Sequence, residues 1–475
     1  MKFVPHIIDG HEVESLDGKR FPSINPYTRE PWAEVALGSR RDAERAVAAA
    51  RRAFDEGEWP KMGYNARGKI LHRLADLIEQ HAEELAEADT RDMGKPITEM
   101  KVADVPRSAH NFRFFADYAK MASAEVFPAD TGHHMYTRYE PAGVVAAIAP
   151  WNFPLMLETW KIAPPLSWGN TVVLKPAEDT PCSATIMARL ALEAGMPPGV
   201  LNVVHGFGPE SVGQFLTESP DIDRITFTGE SATGRAIARA ASANLIPVSF
   251  ELGGKGANVV FDDADLEKAV PWSIRAIFTN SGQVCLAGSR LFVQDKIFDT
   301  FVEKFVAAAK TMKMGDPMDP KTQVGPMSSE THFKKVSSYF DSIKKEGGEV
   351  ATGGIGDGWS IRPTIVLNPP PGSRAVREEI FGPVVMVNRF STEADGIRLA
   401  NDTPYGLNAM VFTESLRRAH RVSAALHAGT VWVNCFFIRD LRAPFGGVGD
   451  SGLGREGGSY SREFCTEPKA VVMEI

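Results

Sequence analysis

The chain of 475 residues is too long for one hydrophobic core, which predicts two or three domains. Hydrophobic residues make up 43% and charged residues 24%, a composition typical of a soluble globular protein rather than a disordered or fibrous one. The net charge is −8 with acidic and basic residues interspersed, which gives no support to binding of nucleic acids or anionic membranes.

The sequence predicts no targeting signal, membrane span or metal site. Its first residues contain no apolar stretch of signal-peptide length, and no uninterrupted apolar run approaches ~18 residues. The four cysteines occur at spacings that match no zinc or disulfide framework. We therefore expect a cytoplasmic protein with reduced thiols. The cysteines are Cys182, Cys285, Cys435 and Cys465.

The N-terminal part, of about 120 residues, is predicted to be mostly helical because apolar residues recur there at helical spacing. Ser39 can cap the first of these helices. A longer helix is predicted to follow, with apolar residues from Ile70 to Leu85 on its buried face, ending before Gly94. His81 falls on that buried face and is interpreted as a structural residue.

From residue 143 onward, short apolar runs alternate with helix-compatible segments, which predicts parallel sheets covered on both faces. A second alternating region begins near Asn258, so the residues alone predict two α/β domains. The strands predicted in the first region are Gly143–Trp151, Thr171–Lys175, Val200–Val204, Arg224–Thr228 and Val248–Leu252, with helices at Thr180–Ala194 and Ser231–Ala241. Those predicted in the second are Asn258–Phe261, Arg290–Val293, Thr364–Leu367, Val384–Asn388, Ala409–Phe412 and Val431–Asn434, with helices at Phe298–Lys310, Glu330–Lys345 and Ser415–Leu426.

Near the junction of the two regions lie a cysteine and a carboxylate suited to covalent catalysis at a carbonyl. Cys285 has small and polar neighbours, and Gly282 and Gly288 on either side are expected to let a ligand come close. Glu251 lies between a predicted strand and a glycine pair, where it can serve as a base. Asn152 is held between two prolines and can donate to a developing oxyanion. Taken singly, a cysteine is more often a small buried hydrophobe and an asparagine a local turn residue.

Two further turns suggest a nucleotide site, each with a plain alternative. The strand, turn and helix around Gly229 and Gly234 offer free N–H groups to a phosphate, but their spacing is not the usual dinucleotide fingerprint. An ordinary β-α turn fits equally well. Lys175 and Glu178 end a predicted strand, where a carboxylate can accept hydrogen bonds from a ribose and repel an extra ribose phosphate. A solvated loop pair is the alternative.

Seven motifs taken together resemble the aldehyde dehydrogenase superfamily, in that family's order and over nearly the whole chain. Chance agreement of seven spaced motifs is negligible. The motifs are Pro150–Pro154 (PWNFP), Leu174–Glu178 (LKPAE), Phe227–Gly229 (FTG), Phe250–Gly254 (FELGG), Gly282–Cys285 (GQVC), Glu378–Pro383 (EEIFGP) and Pro444–Gly447 (PFGG).

The resemblance implies catalytic roles that can be carried over residue by residue. Cys285 matches the nucleophile that forms a thiohemiacetal, and Glu251 matches the base that activates the hydrolytic water. Asn152, with the backbone N–H of Cys285, matches the oxyanion hole. Lys161 and Glu456 fall where some members have a proton relay behind the base. A base at this position argues against acyl transfer to coenzyme A, so hydrolysis to the acid is expected.

The resemblance also implies an NAD site. Lys175 and Glu178 match the adenosine-ribose contacts, which favours NAD over NADP. Gly229 matches the pyrophosphate turn, and Glu379 with Phe381 matches the nicotinamide-ribose site. The further cofactor contacts implied are Ile148, Trp151, Gly208, Phe227, Glu230 and Leu252.

One position departs from the family pattern. Many members have serine after Phe-Thr-Gly, and this chain has Glu230 there. A hydroxyl contact to the phosphate at that position is therefore in doubt, with Ser231 as a possible substitute.

The implied fold class is α/β and aldehyde dehydrogenase-like, with a Rossmann-like cofactor domain, an α/β catalytic domain and a small bridging β-sheet for oligomerisation. Alternation in Met135–Tyr139 and Val471–Ile475 is compatible with edge strands. Family members pair such strands between subunits, so we expect a homodimer or homotetramer. The expected boundaries are residues 1–121 and 142–253 for the cofactor domain, 254–450 for the catalytic domain, and 122–141 with 451–475 for the bridging segment.

Two arginines make the substrate prediction more specific. By resemblance, Arg439 falls where many members place an aromatic residue in the substrate tunnel, and Arg107 lies on a helix of the same tunnel, which Phe153 also lines. An arginine in an apolar tunnel is costly unless it meets an anion, and its planar fork suits a carboxylate. The alternative is a salt bridge to nearby Asp440 or Asp104.

The residues around Arg439 and Gly454–Gly458 look most like the branch of the family that acts on 2-hydroxymuconic and 2-aminomuconic semialdehydes, products of aromatic-ring cleavage. We therefore expect a carboxylated aldehyde as substrate, and Arg442 is interpreted as structural. A general aliphatic or betaine-type aldehyde is the nearest alternative, although two tunnel arginines oppose a cationic substrate. A non-catalytic member of the fold is a further alternative, which the presence of nucleophile, base and oxyanion donor opposes.

Overall fold

The fold is known from a computed structural model that describes residues 1–128 and 132–475. The predicted bridging segment 122–141 therefore lies partly outside the described residues. The helices in the described ranges are Arg40–Asp55, Tyr64–Gln80, Ala82–Met93, Ile97–Glu99, Val105–Lys120, Pro154–Ser167, Cys182–Glu193, Val212–Glu218, Ser231–Ser242, Leu266–Phe278, Phe298–Lys310, Glu330–Lys345, Arg374–Arg377, Glu393–Asn401, Leu416–Ala425 and Gly458–Cys465. None of them is both long and apolar enough to cross a bilayer.

The first large sheet has eight strands in the described part of the chain, and its five central strands are parallel. Those five are almost entirely buried, because helices cover both faces of the sheet, as near-continuous apolar runs predict. Antiparallel strands close both edges. In spatial order the strands are Gly452–Leu453, Val248–Glu251, Arg224–Thr228, Val144–Ile148, Thr171–Lys175, Leu201–Val203, His6–Ile8 and His11–Val13.

The second large sheet has seven strands within the described ranges and is parallel except for one edge strand. Its residues come from the second alternating region, so every strand predicted there is confirmed to within three residues at each end. In spatial order the strands are Glu349–Ile355, Ile361–Leu367, Val384–Phe390, Arg290–Gln294, Ala257–Val260, Asn408–Phe412 and Thr430–Val433.

A small antiparallel sheet joins the C-terminal strand to the middle of the chain. Thr466–Glu474 pairs along its whole length with His133–Pro141, which in turn pairs with Val126–Phe127. The two predicted bridging strands are therefore confirmed as partners. The prediction of two edge strands is wrong for Met135–Tyr139, which lies in the central strand of this sheet.

The N-terminal prediction needs two corrections. Five short strands precede residue 37, and sequence reasoning missed them because several have only three residues and mixed polarity: Lys2–Val4, His6–Ile8, His11–Val13, Arg20–Asn25 and Glu30–Ala36. The long helix is two helices that meet at His81, whose backbone (φ −98°, ψ 23°) is not helical. Its side chain is 41% exposed and 3.4 Å from Glu84, so it does not lie on a buried face.

Candidate active site

The carboxyl ends of adjacent strands of the first sheet lie side by side and bring four predicted residues together, at what is called here the sheet edge. Ile148 pairs in register with Lys175 on one side and with Phe227 on the other. Glu251 ends the next strand, opposite Thr228. Ligands of parallel sheets bind at the carboxyl ends of the strands, so this edge is where a ligand is expected.

Cys285 follows a strained turn at the end of helix Leu266–Phe278. Asn280, Ser281 and Gly282 all have left-handed backbone angles, with φ of 49°, 54° and 72°. Non-glycine residues in this conformation cost free energy and persist where the surroundings hold them, which is common at functional sites. Here the side chain of Asn280 donates to the backbone oxygen of Asn152 at 2.7 Å, which ties the turn to the first sheet.

The Asn152 amide lies against the same turn. Its Nδ2 donates to the backbone oxygen of Gln283 at 2.9 Å, and the side chain is buried. This bond orients the amide and leaves its second N–H free to donate elsewhere. Asn152 and Cys285, predicted to act together, line the same cavity.

The two glycines that flank Cys285 serve packing rather than ligand access, which corrects the prediction. A Cβ on Gly282 would lie 2.2 Å from the backbone oxygen of Gly382. A Cβ on Gly288 would lie 2.6 Å from the side chain of Met410. Protein atoms therefore occupy the space that these glycines leave.

A cavity of about 150 Å³ contains the Cys285 thiol and six of the predicted cofactor residues. Trp151 and Phe381 meet edge to face at 5.3 Å between ring centres. The Glu379 carboxylate accepts a hydrogen bond from the backbone N–H of Gly254 at 2.8 Å. A Cβ on residue 253 would lie 2.1 Å from the other oxygen of Glu379, so a larger residue there would displace this carboxylate. The six residues are Trp151, Gly229, Glu230, Leu252, Glu379 and Phe381.

The other five predicted cofactor residues lie outside the wall of this cavity. Ile148, Lys175 and Phe227 lie at the sheet edge already described. Lys175 Nζ is 3.2 Å from the partly exposed carboxylate of Glu178. Gly208 lies in the loop after strand Leu201–Val203, with open space where a Cβ would be.

Glu230, the departure from the family pattern, pairs with a lysine on the rim of the cavity. Its Oε1 lies 2.9 Å from Nζ of Lys335, on helix Glu330–Lys345. Ser231 donates its hydroxyl to the backbone oxygen of Asp450 at 2.8 Å. Ser231 is therefore already engaged, which opposes the suggestion that it replaces the missing serine.

The Cys285 thiol opens onto the cavity and is otherwise enclosed by protein. Burial, together with the nearby carboxylates of Glu379 and Glu251, raises its pKa to about 12, against a smaller lowering by Arg439. The resting sulfur is therefore protonated. A positive charge beside it would stabilise the thiolate.

The Glu251 side chain is buried, and neither carboxylate oxygen has a hydrogen-bond partner among the described residues. Burial raises its pKa to about 8, with a further contribution from the negative charge of Glu456. Gly446 gives the carboxylate room, because a Cβ there would lie 2.8 Å from Oε1. A carboxylate with a pKa near neutrality and no fixed partner suits a general base.

Lys161 and Glu456, the predicted relay, form a buried ion pair. Nζ of Lys161 is 2.6 Å from Oε1 of Glu456. The other carboxylate oxygen accepts from Nε1 of Trp160 at 2.5 Å, and Thr226 donates its hydroxyl to Oε1 at 3.3 Å. The pair lies close enough to Glu251 for both charges to affect its pKa.

A second cavity, of about 430 Å³, brings together all three predicted substrate residues: Arg107, Phe153 and Arg439. The guanidinium of Arg439 lies between two rings, 3.6 Å from the centre of Phe445 and 4.9 Å from that of Trp160. Burial, together with the neighbouring charge of Arg107, lowers the pKa of Arg439 to about 10. Two aromatic rings therefore pack against the Arg439 guanidinium.

The salt-bridge alternative for these arginines fails because both candidate carboxylates are already paired. Asp440 pairs with Arg442 at 2.6 Å on the exposed surface. Asp104 pairs with Lys95 at 2.6 Å. Within residues 1–128 and 132–475, neither Arg107 nor Arg439 has a carboxylate within 4.0 Å.

Sequence reasoning missed several residues that build these cavities. Trp160 links the relay glutamate to Arg439, and Lys335 holds Glu230. Asn111 lies four residues after Arg107, one helical turn away, and contacts it. Residues at this spacing are neighbours on a helix, so the sequence could have predicted this contact. Lys95 gave no signal, because only the tertiary fold brings it to the second cavity. Phe445 belongs to the PFGG motif, but the sequence did not indicate its contact with Arg439.

Comparison with known proteins agrees with this geometry. The sequence model of the aldehyde dehydrogenase family matches residues 13–471. A 2-hydroxymuconic semialdehyde dehydrogenase of Pseudomonas sp. (strain CF600) is 46% identical, with both chains covered completely. A mitochondrial aldehyde dehydrogenase of Arabidopsis thaliana, family 2 member B4, is 47% identical over 99% of this chain and 88% of its own.

Among solved structures, the NAD+ complex of an aldehyde dehydrogenase from Bacillus cereus superposes with a TM-score of 0.98. It is 40% identical and covers 100% of this chain and 97% of that one. The resemblance inferred from seven motifs and the predicted fold class are both confirmed. The chain belongs to the aldehyde dehydrogenase family.

Proposed function

We propose that the protein oxidises a carboxylated semialdehyde to a dicarboxylic acid, with NAD+ as the hydride acceptor and water as the acyl acceptor. The observation that carries the substrate class is the pair Arg107 and Arg439, which line one cavity without a carboxylate partner in the described residues. Buried guanidinium groups are costly unless an anion meets them. A substrate carboxylate would supply that anion.

Overall identity does not select the substrate, because the mitochondrial aldehyde dehydrogenase of Arabidopsis is as similar to this chain as the Pseudomonas semialdehyde enzyme is. The residues that line the second cavity favour a carboxylated substrate instead. Arg439 lies near enough to Cys285 and Glu251 for their charges to affect its pKa. A substrate whose carboxylate met Arg439 and Arg107 could therefore present its aldehyde to the thiol, which fits a semialdehyde of the 2-hydroxymuconic type.

The residues at the sheet edge fit NAD. Trp151 and Phe381 offer aromatic walls, and the glycine at residue 253 leaves room for the Glu379 carboxylate, which suits a ribose hydroxyl. Glu178, partly exposed beside Lys175, would accept hydrogen bonds from the adenosine ribose and repel a 2′-phosphate. When bound there, NAD+ would supply the acceptor for the hydride lost from the substrate and a positive charge that favours the Cys285 thiolate.

The first chemical step uses Cys285 and Asn152. The Cys285 thiol first loses its proton to water. The resulting thiolate attacks the aldehyde carbon, and a C–S bond forms as the carbonyl oxygen gains negative charge. The free N–H of Asn152 donates to that oxygen, a contact that typically contributes about 3 kcal/mol to transition-state stabilisation. Collapse of the oxyanion with loss of hydride leaves a thioester on Cys285.

The second step uses Glu251. Its carboxylate removes a proton from water, the hydroxide attacks the thioester carbon, and the acid leaves as the C–S bond breaks. Because no fixed partner occupies the Glu251 oxygens in the described part of the chain, they are available for this water. The Lys161–Glu456 pair lies behind the base and can accept the proton from it.

Replacement of Arg439 by Ala tests the substrate class. We expect kcat/KM for a carboxylated semialdehyde to fall, because a charge-assisted hydrogen bond is lost. The corresponding loss of transition-state binding energy is about 1.5–3 kcal/mol. The kcat/KM for a neutral aliphatic aldehyde of similar length should change little. Steady-state kinetics with both aldehydes provides the measurement, and Arg442→Ala serves as the matched control. Equal losses for both aldehydes would make Arg439 a structural residue.

A neutral or betaine-type aldehyde is the main alternative substrate. A cationic substrate requires an aromatic or acidic cage. The second cavity has two carboxylates, Glu99 and Asp104, both within 4.0 Å of Lys95, and three arginines that outnumber them: Arg107, Arg275 and Arg439. A non-catalytic role is opposed by the placement of Cys285 and Asn152 in one cavity, with Glu251 at the adjoining sheet edge.

The bridging sheet further supports a homodimer or homotetramer. The strand Thr466–Glu474 has one unpaired edge among the described residues and carries Val472 and Met473, which are 57% and 44% exposed. A long exposed edge strand with apolar side chains favours pairing with another chain. Sedimentation analysis should give a mass of two or four chains of 51.8 kDa, and a monomer at micromolar concentration would contradict this.

A further inference from the structure

Arg107 presents only part of its guanidinium to the second cavity. It lies near the start of helix Val105–Lys120, directly after the π-helical segment Met100–Asp104. Its Nε donates to Oδ1 of Asn111 at 3.1 Å. The two terminal nitrogens are the groups left for a ligand, and burial lowers the pKa of Arg107.

The Asn111 amide is itself fixed by the neighbouring helix, Pro154–Ser167. Its Nδ2 donates to the backbone oxygen of Met156 at 3.2 Å and to Oγ1 of Thr159 at 3.0 Å. Thr159 uses its own hydroxyl hydrogen on the oxygen of Met156, also at 3.0 Å, so Oγ1 can only accept from Asn111. Asn111 and Thr159 are both fully buried.

This arrangement permits one orientation of the amide. If the amide were turned over, Nδ2 would face the Nε donor of Arg107 and Oδ1 would face the oxygen of Met156. Both contacts would become repulsive, and the buried groups would lose their partners. Oδ1 is therefore held toward Arg107, which fixes the plane of the guanidinium before any ligand arrives.

We propose that Asn111 is a positioning residue for substrate selection, which aims the terminal nitrogens of Arg107 at the substrate carboxylate. The proposal rests on the function proposed above. A long side chain fixed in its bound conformation loses less conformational entropy on binding. Asn111, which also lines the second cavity, contributes to affinity for carboxylated aldehydes by holding Arg107.

Asn111→Leu keeps a similar volume and removes the acceptor for Arg107. We expect KM for a carboxylated semialdehyde to rise roughly fivefold to tenfold, with kcat within about twofold, because the reacting groups are unchanged. KM for a neutral aldehyde of similar length should stay within about twofold. Thr159→Val, which removes only one anchor of the amide, should raise KM for the carboxylated aldehyde in the same direction by a smaller factor.

A double-mutant cycle with Arg107→Ala separates positioning from a general structural role. If Asn111 acts through Arg107, Asn111→Leu should raise KM by less than about twofold in the Arg107→Ala background. An equal rise in both backgrounds, or equal losses for carboxylated and neutral aldehydes, overturns the proposal. Should Asn111→Leu fail to fold, as shown by its thermal unfolding, Thr159→Val completes the same cycle and decides the outcome.

The cycle also distinguishes the two proposals. If Arg107→Ala is selective for carboxylated aldehydes and Asn111→Leu is not, only the positioning role is wrong. If Arg107→Ala affects both aldehydes equally, the carboxylate assignment of Arg107 fails and the positioning role fails with it.

Discussion

Replacement of Cys285 by Ala is expected to lower aldehyde oxidation by at least about 10⁴-fold, because the sulfur that bonds to the carbonyl carbon is lost. Binding of NAD+ should persist, since the walls formed by Trp151, Glu379 and Phe381 remain. Absorbance of NADH at 340 nm measures aldehyde oxidation, and quenching of tryptophan fluorescence measures NAD+ binding.

Cys435 provides the matched control for this variant. It is partly exposed, unpaired and absent from the walls of both cavities. Cys435→Ala should therefore retain activity within about twofold. Substantial dehydrogenase activity in Cys285→Ala would place the nucleophile elsewhere, whereas loss of both activity and NAD+ binding would point to a collapsed site.

Glu251→Gln is expected to separate oxidation from hydrolysis. The thioester should form and then persist, because the amide cannot remove a proton from water. A rapid-mixing experiment should show one equivalent of NADH per active site, followed by steady-state turnover slower by about 10²–10⁴-fold. Absence of the first burst would assign Glu251 to the oxidation step instead.

The raised pKa of Glu251 also predicts the pH dependence of hydrolysis. The base must be ionised, and burial raises its pKa to about 8, so the hydrolytic rate should fall as pH decreases below that value. Far below the pKa, the fall approaches about tenfold per pH unit. The measurement is kcat between pH 6 and 9 under conditions where hydrolysis limits turnover. A flat profile across this range would contradict a base with this pKa.

The central strands and the catalytic set could be predicted because their signals are local. Strands such as Thr171–Lys175 are continuous apolar runs that tertiary packing reinforces. Cys285, Glu251 and Asn152 lie in short motifs with characteristic neighbours. The structure places Cys285 and Asn152 in one cavity and Glu251 at the adjoining edge, although their catalytic roles stay predictions until variants are measured.

The environment of each site residue could not be predicted, because it depends on contacts between distant parts of the chain. The pairing of Glu230 with Lys335 joins residues 105 positions apart. Of the two rings that contact Arg439, Trp160 comes from a helix 279 residues earlier and Phe445 from a loop six residues later. The strained turn before Cys285 likewise needs Asn152 to hold it, so its left-handed backbone leaves no signal in sequence spacing.

The central claim is that the sulfur of Cys285 bonds to the carbonyl carbon of the substrate. Mass spectrometry of Glu251→Gln, quenched after mixing with NAD+ and a carboxylated semialdehyde, tests it most directly. We predict a mass increase equal to the product acid minus water, located by peptide mapping on Cys285. NADH formation without an adduct, or an adduct on Cys182, Cys435 or Cys465, would contradict the claim.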